Sequence, residues 1–178
     1  MAEMPQGAPL YFTHNTLTEI IRESSIVLLN RHLAAAIDLQ GQLKQAHWNV
    51  RGHGFIAVHE LFDKVAAIVA DAADEMAERC AALGGAVAGT VQVAAAQSFL
   101  VPYPLMIADV QKHVFAVAGA LASFGQSVRE AATTATKGND ADTADLFTQV
   151  SRAIDHQLWF IEAHATAEPM PIKKGERT

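Results

Sequence analysis

The sequence predicts an all-α fold, and three observations support this prediction. Aromatic residues make up only 7% of the 178 residues while alanine is abundant, which favours closely packed helices over β-sheets. Along four long segments, apolar residues recur every three or four positions, the period of a helix with one buried face. Glycines and prolines lie between these segments, where helices should end. The 51% of hydrophobic residues suffices for one substantial core, so we expect one domain.

The first helix is predicted to begin at Thr16 and to end near Val50. Thr16 and Glu19 have the spacing of a capping box, and Gly52 and Gly54 break the apolar pattern. The apolar positions of this helix are Ile20, Val27, Leu28, Leu33, Ile37 and Leu43.

A second helix should follow and end at the glycine pair 84–85, which is typical of a helix C-terminus. A long connection comes next, with a short extra helix predicted from Val91 to Gln97 and breaks at Pro102 and Pro104. The apolar positions of the second helix are Val58, Leu61, Phe62, Val65, Ile68, Val69, Met76 and Leu83.

The third helix is predicted from about Leu105, and the fourth ends near His164 after a turn and cap at residues 138–140. The apolar positions of helix three are Val110, Val114, Val117, Leu121, Phe124 and Val128. Those of helix four are Leu146, Val150, Ile154, Leu158 and Ile161.

Two short-linked helical pairs joined by one long crossover define a four-helix bundle of the ferritin-like type. We expect an N-terminal extension at residues 1–15, the bundle at 16–166 and a flexible C-terminal tail at 167–178. The net charge of −6 argues against a generally basic, nucleic-acid-binding surface. A single cysteine cannot form an internal disulfide, and neither a signal peptide nor a membrane-spanning stretch is present. We therefore expect a cytoplasmic protein without a membrane partner.

Helix two carries two pairs of candidate metal ligands. His59 and Asp63 are four residues apart, as are Asp74 and Glu78, so each pair points from one helix face toward a common point. The pair centres, positions 61 and 76, lie 15 residues apart, which is ~22 Å on an α-helix. One chain therefore cannot close the site. A two-fold axis near residue 68 or 69 would set each pair opposite the other pair of a second subunit, with His47 completing the first half.

The ligand types indicate which metal the site would take. Two imidazoles and three carboxylates, with no thiolate, suit Fe²⁺ or Mn²⁺ better than a structural zinc ion. Three carboxylates brought together repel one another without a cation, so protons should occupy some of them in the empty site. Metal affinity should therefore fall in acid.

Four motifs with their order and spacing resemble the Dps family, the ferritin-like DNA-binding proteins from starved cells: KQAHWNVRG, FIAVHELFD, ADEMAERCAALGG and DTADLF with LWFIEAH. The resemblance implies a hollow homododecamer that oxidises Fe²⁺, preferably with H₂O₂, at di-iron ferroxidase sites on two-fold interfaces. It also implies storage of the ferric mineral inside the shell, protecting the cell from oxidative damage. By match to the family motifs, His47, His59 and Asp63 come from one subunit and Asp74 and Glu78 from its neighbour.

The resemblance places Trp48 beside the iron as an electron donor. The alternative is that Trp48 is a core aromatic residue anchoring helix one. The resemblance further implies that Asp140, Asp142 and Asp145 line acidic pores that attract cations, Asp145 matching best. The alternative for these aspartates is that they cap helix four and interact with its dipole.

DNA binding requires a separate source of positive charge. No lysine or arginine precedes Arg22, so the N-terminus offers nothing to neutralise phosphate. Lys173, Lys174 and Arg177 in the C-terminal tail could bind DNA weakly through repetition around a shell. The alternative function is thus a nucleoid-associated architectural protein with little ferroxidase activity.

A di-iron enzyme with its site inside one bundle is disfavoured. Such a protein should carry Glu-x-x-His pairs on two helices, and this sequence has none. We interpret Asp109 and His113 as a solvated pair rather than an accessory metal site. Cys80 is interpreted as core packing, and His32 as a surface or interface residue.

Overall fold

Helices make up most of the structure, a computed structural model that describes residues 10–165. Within that range the only β-pairing is an isolated bridge between Arg51 and Asp109. The predicted all-α bundle, with an extra short helix in the crossover, is confirmed. The helices are α1 (Glu19–Asn49), α2 (Phe55–Ala82), α3 (Val91–Gln97), α4 (Val110–Lys137) and α5 (Ala141–Glu162).

The core lies between two helical hairpins, α1 with α2 and α4 with α5. The positions predicted from periodicity in α4 are all buried, and those of α2 and α5 are buried or half-buried. The largest fully buried side chains come from all four long helices, which is the expected result of packing one apolar stripe from each. These side chains include Leu29, Leu39, Leu43, Phe62, Met76, Leu121, Phe124, Phe147 and Ile154.

The predicted start of α1 is wrong by three residues. The amide of Leu17 donates to Oδ1 of Asn15 at 2.9 Å, so a side-chain turn occupies the position where the capping box was expected. Thr18 takes the N-cap position without a side-chain capping bond. Ile20 and Val27, predicted as core residues, are 76% and 57% exposed because they lie on the outer face of the helix.

The predicted start of α4 near Leu105 is also wrong. Asp109 is the N-cap, and its carboxylate accepts from the amides of Gln111 and Lys112 at 3.0 and 3.3 Å. Leu105 therefore lies in the loop, where it is exposed. The amide of Arg51 donates to the carbonyl of Ala108 at 2.8 Å and so ties the end of α1 to the start of α4.

Asp140 joins three helices at the turn before α5. It is 1% exposed and caps α5 by accepting from the amide of Thr143 at 3.1 Å. Its carboxylate also accepts from Ser25 on α1 at 2.7 Å and from Arg79 on α2 at 2.7 Å. Burial opposes ionisation, but the hydrogen bonds from Thr143 and Ser25 and the charge of Arg79 outweigh it and lower the pKa of Asp140.

Gly84 allows the chain to turn after α2, and replacing it should destabilise the fold. Its φ is +84°, and a Cβ would lie 2.6 Å from the carbonyl oxygen of Tyr11. We expect Gly84→Ala to lower the free energy of unfolding by about 2 kcal/mol, through strain and this clash.

Urea unfolding measures the effect, with Gly119→Ala as the matched control. Gly119 lies inside α4, and a Cβ there meets nothing within 4 Å. The control should be neutral or up to ~1 kcal/mol more stable, because alanine favours helix over glycine. Equal destabilisation by both substitutions would contradict the role given to Gly84.

Candidate metal centre

His47 and His59 face each other across the turn that joins α1 to α2. The turn contains Gly52 and Gly54, whose φ angles of +115° and +78° let the chain reverse between the helices. The two imidazole rings are stacked, with centroids 3.7 Å apart and planes inclined by 21°. The sequence therefore places both predicted histidine ligands side by side.

Reciprocal hydrogen bonds orient both rings. Nδ1 of His47 lies 2.8 Å from the carbonyl oxygen of His59, and Nδ1 of His59 lies 2.9 Å from that of His47. Because a carbonyl only accepts, each Nδ1 carries a proton, and Nε2 is the ring nitrogen left to bind a metal ion. This is how histidine ligands are oriented in metal sites, where the second nitrogen donates to a carbonyl or carboxylate.

Asp63 follows His59 by one helical turn, and its carboxylate is held by a lysine. Nζ of Lys44, on α1, donates to Oδ1 of Asp63 at 2.5 Å. This hydrogen bond lowers the pKa of Asp63, and the nearby His47 and His59 add to the shift. The ammonium group of Lys44 therefore occupies one oxygen of the Asp63 carboxylate and competes with a cation for its charge.

Trp48 lies on the exposed side of this cluster. Its side chain is 66% exposed, and Nζ of Lys44 lies 5.8 Å from the centre of the indole ring. The alternative that Trp48 is a core aromatic residue is wrong for the single subunit, since the ring packs against a lysine at the surface.

Asp74 and Glu78 are exposed on α2, beyond the cluster formed by His47, His59 and Asp63. Among residues 10–165, no three His, Cys, Asp or Glu side chains lie close enough together to hold a metal ion. The structure thus brings the two histidines together, but within one chain none of Asp63, Asp74 and Glu78 joins them in a three-ligand group.

The three aspartates predicted to line a pore differ in their surroundings. Asp142 and Asp145 are exposed and line a groove of about 400 Å³ together with Glu75, Glu78 and Arg79. Asp140 does not share this exposure, because its carboxylate is buried in the cap of α5. Asp140 therefore caps α5, as the alternative interpretation of the sequence expected.

Three predictions about other side chains can be compared with the structure. Cys80 is fully buried, as predicted, and burial raises the pKa of its thiol. The prediction that Asp109 and His113 form a solvated pair is wrong, because Asp109 caps α4 and His113 is only 1% exposed. His32 is wrong as a surface residue: it is 2% exposed, and burial lowers its pKa.

Sequence reasoning missed Lys44, and its contact leads to a prediction. Lys44→Gln frees Asp63, so we expect the dissociation constant for Fe²⁺ to fall by about two- to fivefold, the modest effect of an exposed ion pair. Anaerobic titration calorimetry at low salt measures this change. Lys64→Gln is the control, because it removes the same charge. Lys64 is an exposed lysine on α2, and its ammonium group lies over the ring of Phe160. An equal gain in both variants, or weaker binding in Lys44→Gln, would contradict competition by Lys44.

Similarity to known proteins identifies the class to which this protein belongs. The model of the ferritin-like domain family matches residues 26–169, so the chain is a ferritin-like protein. A DNA protection during starvation protein from Agrobacterium fabrum is 38% identical over 152 residues, which cover 85% of this chain and 94% of that protein. The chain belongs to the Dps family.

Solved structures agree with this assignment. DpsA14 from Streptomyces coelicolor is 35% identical, with a TM-score of 0.81 over 88% of this chain and 94% of that one. Dps from Microbacterium arborescens in the high iron form is 30% identical, with a TM-score of 0.77 over 84% of this chain and 97% of that one. None of the helices within residues 10–165 is long and apolar enough to cross a membrane.

Proposed function

We propose that this protein is an iron-sequestering mini-ferritin of the cytoplasm that oxidises Fe²⁺, preferably with H₂O₂, and stores the ferric product in a hollow homo-oligomeric shell, most simply a dodecamer. The ferroxidase sites are di-iron sites shared between two subunits. Membership of the Dps family supports iron handling and an oligomeric assembly in general.

The observation that carries the proposal is the stacked pair of His47 and His59. Both rings are held in a fixed orientation through Nδ1, so the imidazoles need little reorganisation to bind a metal ion through Nε2. Neutral imidazoles combined with carboxylates suit Fe²⁺ and its oxidation to Fe³⁺. Asp63, one turn after His59, adds a negative charge at the same end of α2.

The remaining ligands come from a partner subunit in this proposal. Asp74 and Glu78 are exposed, as ligands for a site on another subunit must be. A two-fold axis crossing α2 near Ile68 brings them opposite His59 and Asp63 of the second chain. Each pair of subunits then holds two equivalent sites, with Glu78 bridging the two iron ions.

Two Fe²⁺ ions give one electron each to H₂O₂ and cleave its O–O bond, so that two Fe³⁺ ions and two water molecules form with two added protons. No hydroxyl radical is released when both electrons arrive together. Trp48 lies beside Lys44 at the edge of the site. It is the proposed donor of the second electron when only one Fe²⁺ ion is bound. Asp142 and Asp145 are the proposed cation-attracting residues of a pore, with Asp140 left out because it is buried.

DNA binding is secondary in this proposal. Lys173, Lys174 and Arg177 lie outside the described residues, as does the predicted tail at 167–178. A gel-shift assay at low and moderate salt, with and without residues 169–178, tests whether this tail binds DNA.

Anaerobic addition of H₂O₂ to the Fe²⁺-loaded oligomer tests the proposed function. We expect ferric absorbance with consumption of one peroxide per two Fe²⁺, together with less spin-trapped hydroxyl radical than in free Fe²⁺ solution. One peroxide per Fe²⁺ with an undiminished radical yield would show that the protein does not direct the reaction.

A further inference from the structure

Tyr103 and His113 form a short hydrogen bond inside the protein that the proposed iron chemistry does not use. The phenol oxygen of Tyr103 lies 2.6 Å from Nδ1 of His113, and the two rings are nearly parallel. His113 is 1% exposed, and Tyr103 is half-buried. The sequence contains one other tyrosine, Tyr11, which is 69% exposed.

Burial sets the protonation state of this pair. It raises the pKa of Tyr103 above its ordinary range, so the phenol keeps its proton at neutral pH. Burial lowers the pKa of His113, so the imidazole is neutral and Nδ1 accepts the phenol proton. The pair therefore consists of a neutral donor and a neutral base already in contact.

Polar groups around His113 partly offset the effect of burial on its charged form. The carbonyls of Ile107 and Asn49 and the carboxylate of Asp109 all raise the pKa of His113, opposing the effect of burial. Its Nε2 is buried without a hydrogen-bond partner in the described residues. An imidazolium formed here would therefore face two carbonyls and one carboxylate, which are groups of the right polarity.

The pair lies close behind the candidate metal centre. The ring of His113 contacts Phe62 edge to face at 6.5 Å between centroids, and Phe62 immediately precedes Asp63. Asn49, whose carbonyl faces His113, lies two residues after His47 at the end of α1. Phe62 and Asn49 therefore connect the pair to the part of the protein that carries Asp63 and His47.

We propose that Tyr103 and His113 form a proton-coupled redox pair that reduces a one-electron oxidant of the hydroxyl-radical class, produced when a single Fe²⁺ at the adjoining site cleaves H₂O₂. Fe²⁺ and H₂O₂ give Fe³⁺, hydroxide and a hydroxyl radical. Tyr103 gives one electron, which reduces the radical to hydroxide, and its phenol proton moves to Nδ1 of His113. The products are a neutral tyrosyl radical and an imidazolium. The source of the oxidant rests on the proposed function, whereas the proton-coupled step does not.

Electron paramagnetic resonance of freeze-quenched protein carrying Tyr11→Phe and Trp48→Phe tests the pair, because Trp48 is the other proposed one-electron donor at the site. The oligomer is loaded with fewer Fe²⁺ ions than sites, so that one-electron cleavage dominates, and then mixed with H₂O₂. We expect a tyrosyl signal that disappears on adding Tyr103→Phe. With His113→Leu the radical should form about 100-fold more slowly, because a positioned base contributes about that factor. The rate of ferric absorbance with excess Fe²⁺ should be unchanged in both variants.

A second measurement separates this inference from the proposed function. Metal-free Tyr11→Phe protein is oxidised with azide radicals, and the phenoxyl band is followed in H₂O and in D₂O. We expect slower formation in D₂O, a result that does not depend on whether His113→Leu folds. Normal ferric absorbance without a tyrosyl signal would overturn the pair and leave the proposed function standing. If no ferric absorbance develops, the proposed source of the oxidant is wrong. Equal rates of phenoxyl formation in H₂O and in D₂O would overturn the Tyr103–His113 pair, whatever the iron chemistry.

Discussion

His59→Ala and Asp74→Ala should each lower the rate of Fe²⁺ oxidation by about 100-fold or more. Loss of a residue that merely orients a metal ligand already costs 10- to 100-fold, and these substitutions remove the ligands themselves. His59→Ala also removes the carbonyl-oriented ring stacked on His47, so the second imidazole loses part of its support. Stopped-flow absorbance under anaerobic Fe²⁺ loading measures the rate.

Two control variants match these changes in chemistry and location. Asp71→Ala removes an exposed carboxylate three residues before Asp74 on α2, and His53→Ala removes an exposed imidazole from the turn before α2. Both should oxidise iron at nearly the wild-type rate. Equal losses in Asp71→Ala and Asp74→Ala would mean that general negative charge, rather than a defined ligand, carries the activity.

Asp140→Ala should lower the free energy of unfolding by about 3 kcal/mol, because it removes a buried carboxylate that accepts hydrogen bonds from three side chains. The substitution removes the α5 cap and the shorter of the two carboxylate contacts of Arg79, whose side chain is only 15% exposed. It also leaves the hydroxyls of Ser25 and Thr143 without their acceptor. Urea unfolding at fixed protein concentration measures the loss.

Asp142→Ala is the matched control for Asp140→Ala. Asp142 pairs with the same arginine at 3.7 Å, but it is 83% exposed. Its removal should change the free energy of unfolding by no more than ~0.5 kcal/mol. A similar loss in both variants would contradict the structural role of the buried carboxylate.

The contribution of Asp140 should depend on pH in a defined direction. Its pKa is lowered in the folded protein, so at acid pH the unfolded chain takes up the proton more readily than the folded one. The stabilisation is therefore fully present above the ordinary aspartate pKa of about 3.9, and it is lost as the pH falls through the lower folded value. The difference in stability between wild type and Asp140→Asn should accordingly shrink below about pH 4.

The fold was largely predictable because each helix carries its own pattern. The predicted and observed ends of the helix Val91–Gln97 agree. This helix lies between its N-cap, Thr90, and the proline-containing segment. The starts of α1 and α4 were misplaced, because Asn15 and Asp109 use their side chains on nearby amides. Such local competition is not visible in hydrophobic periodicity.

The candidate site was predictable in its ligand types and less so in its contacts. Spacing of four residues indicated His59 with Asp63, and the glycine turn explained why His47 returns to the same place. Lys44 and Asp63 are 19 positions apart along the chain and lie on different helices, so no single-helix pattern reveals their ion pair. The buried position of His113 depends on how α4 packs near Tyr103 and Phe62, which again is a tertiary effect.

Oligomers assembled from equal amounts of co-expressed His59→Ala and Asp74→Ala subunits test most directly whether the site is shared. In a mixed pair, one site combines both defects, and the other combines an intact His59 with an intact Asp74 from the opposite chain. Random pairing should therefore restore about one quarter of the wild-type sites and a corresponding share of the oxidation rate. A rate no higher than the average of the two single variants would contradict a ligand set divided between subunits.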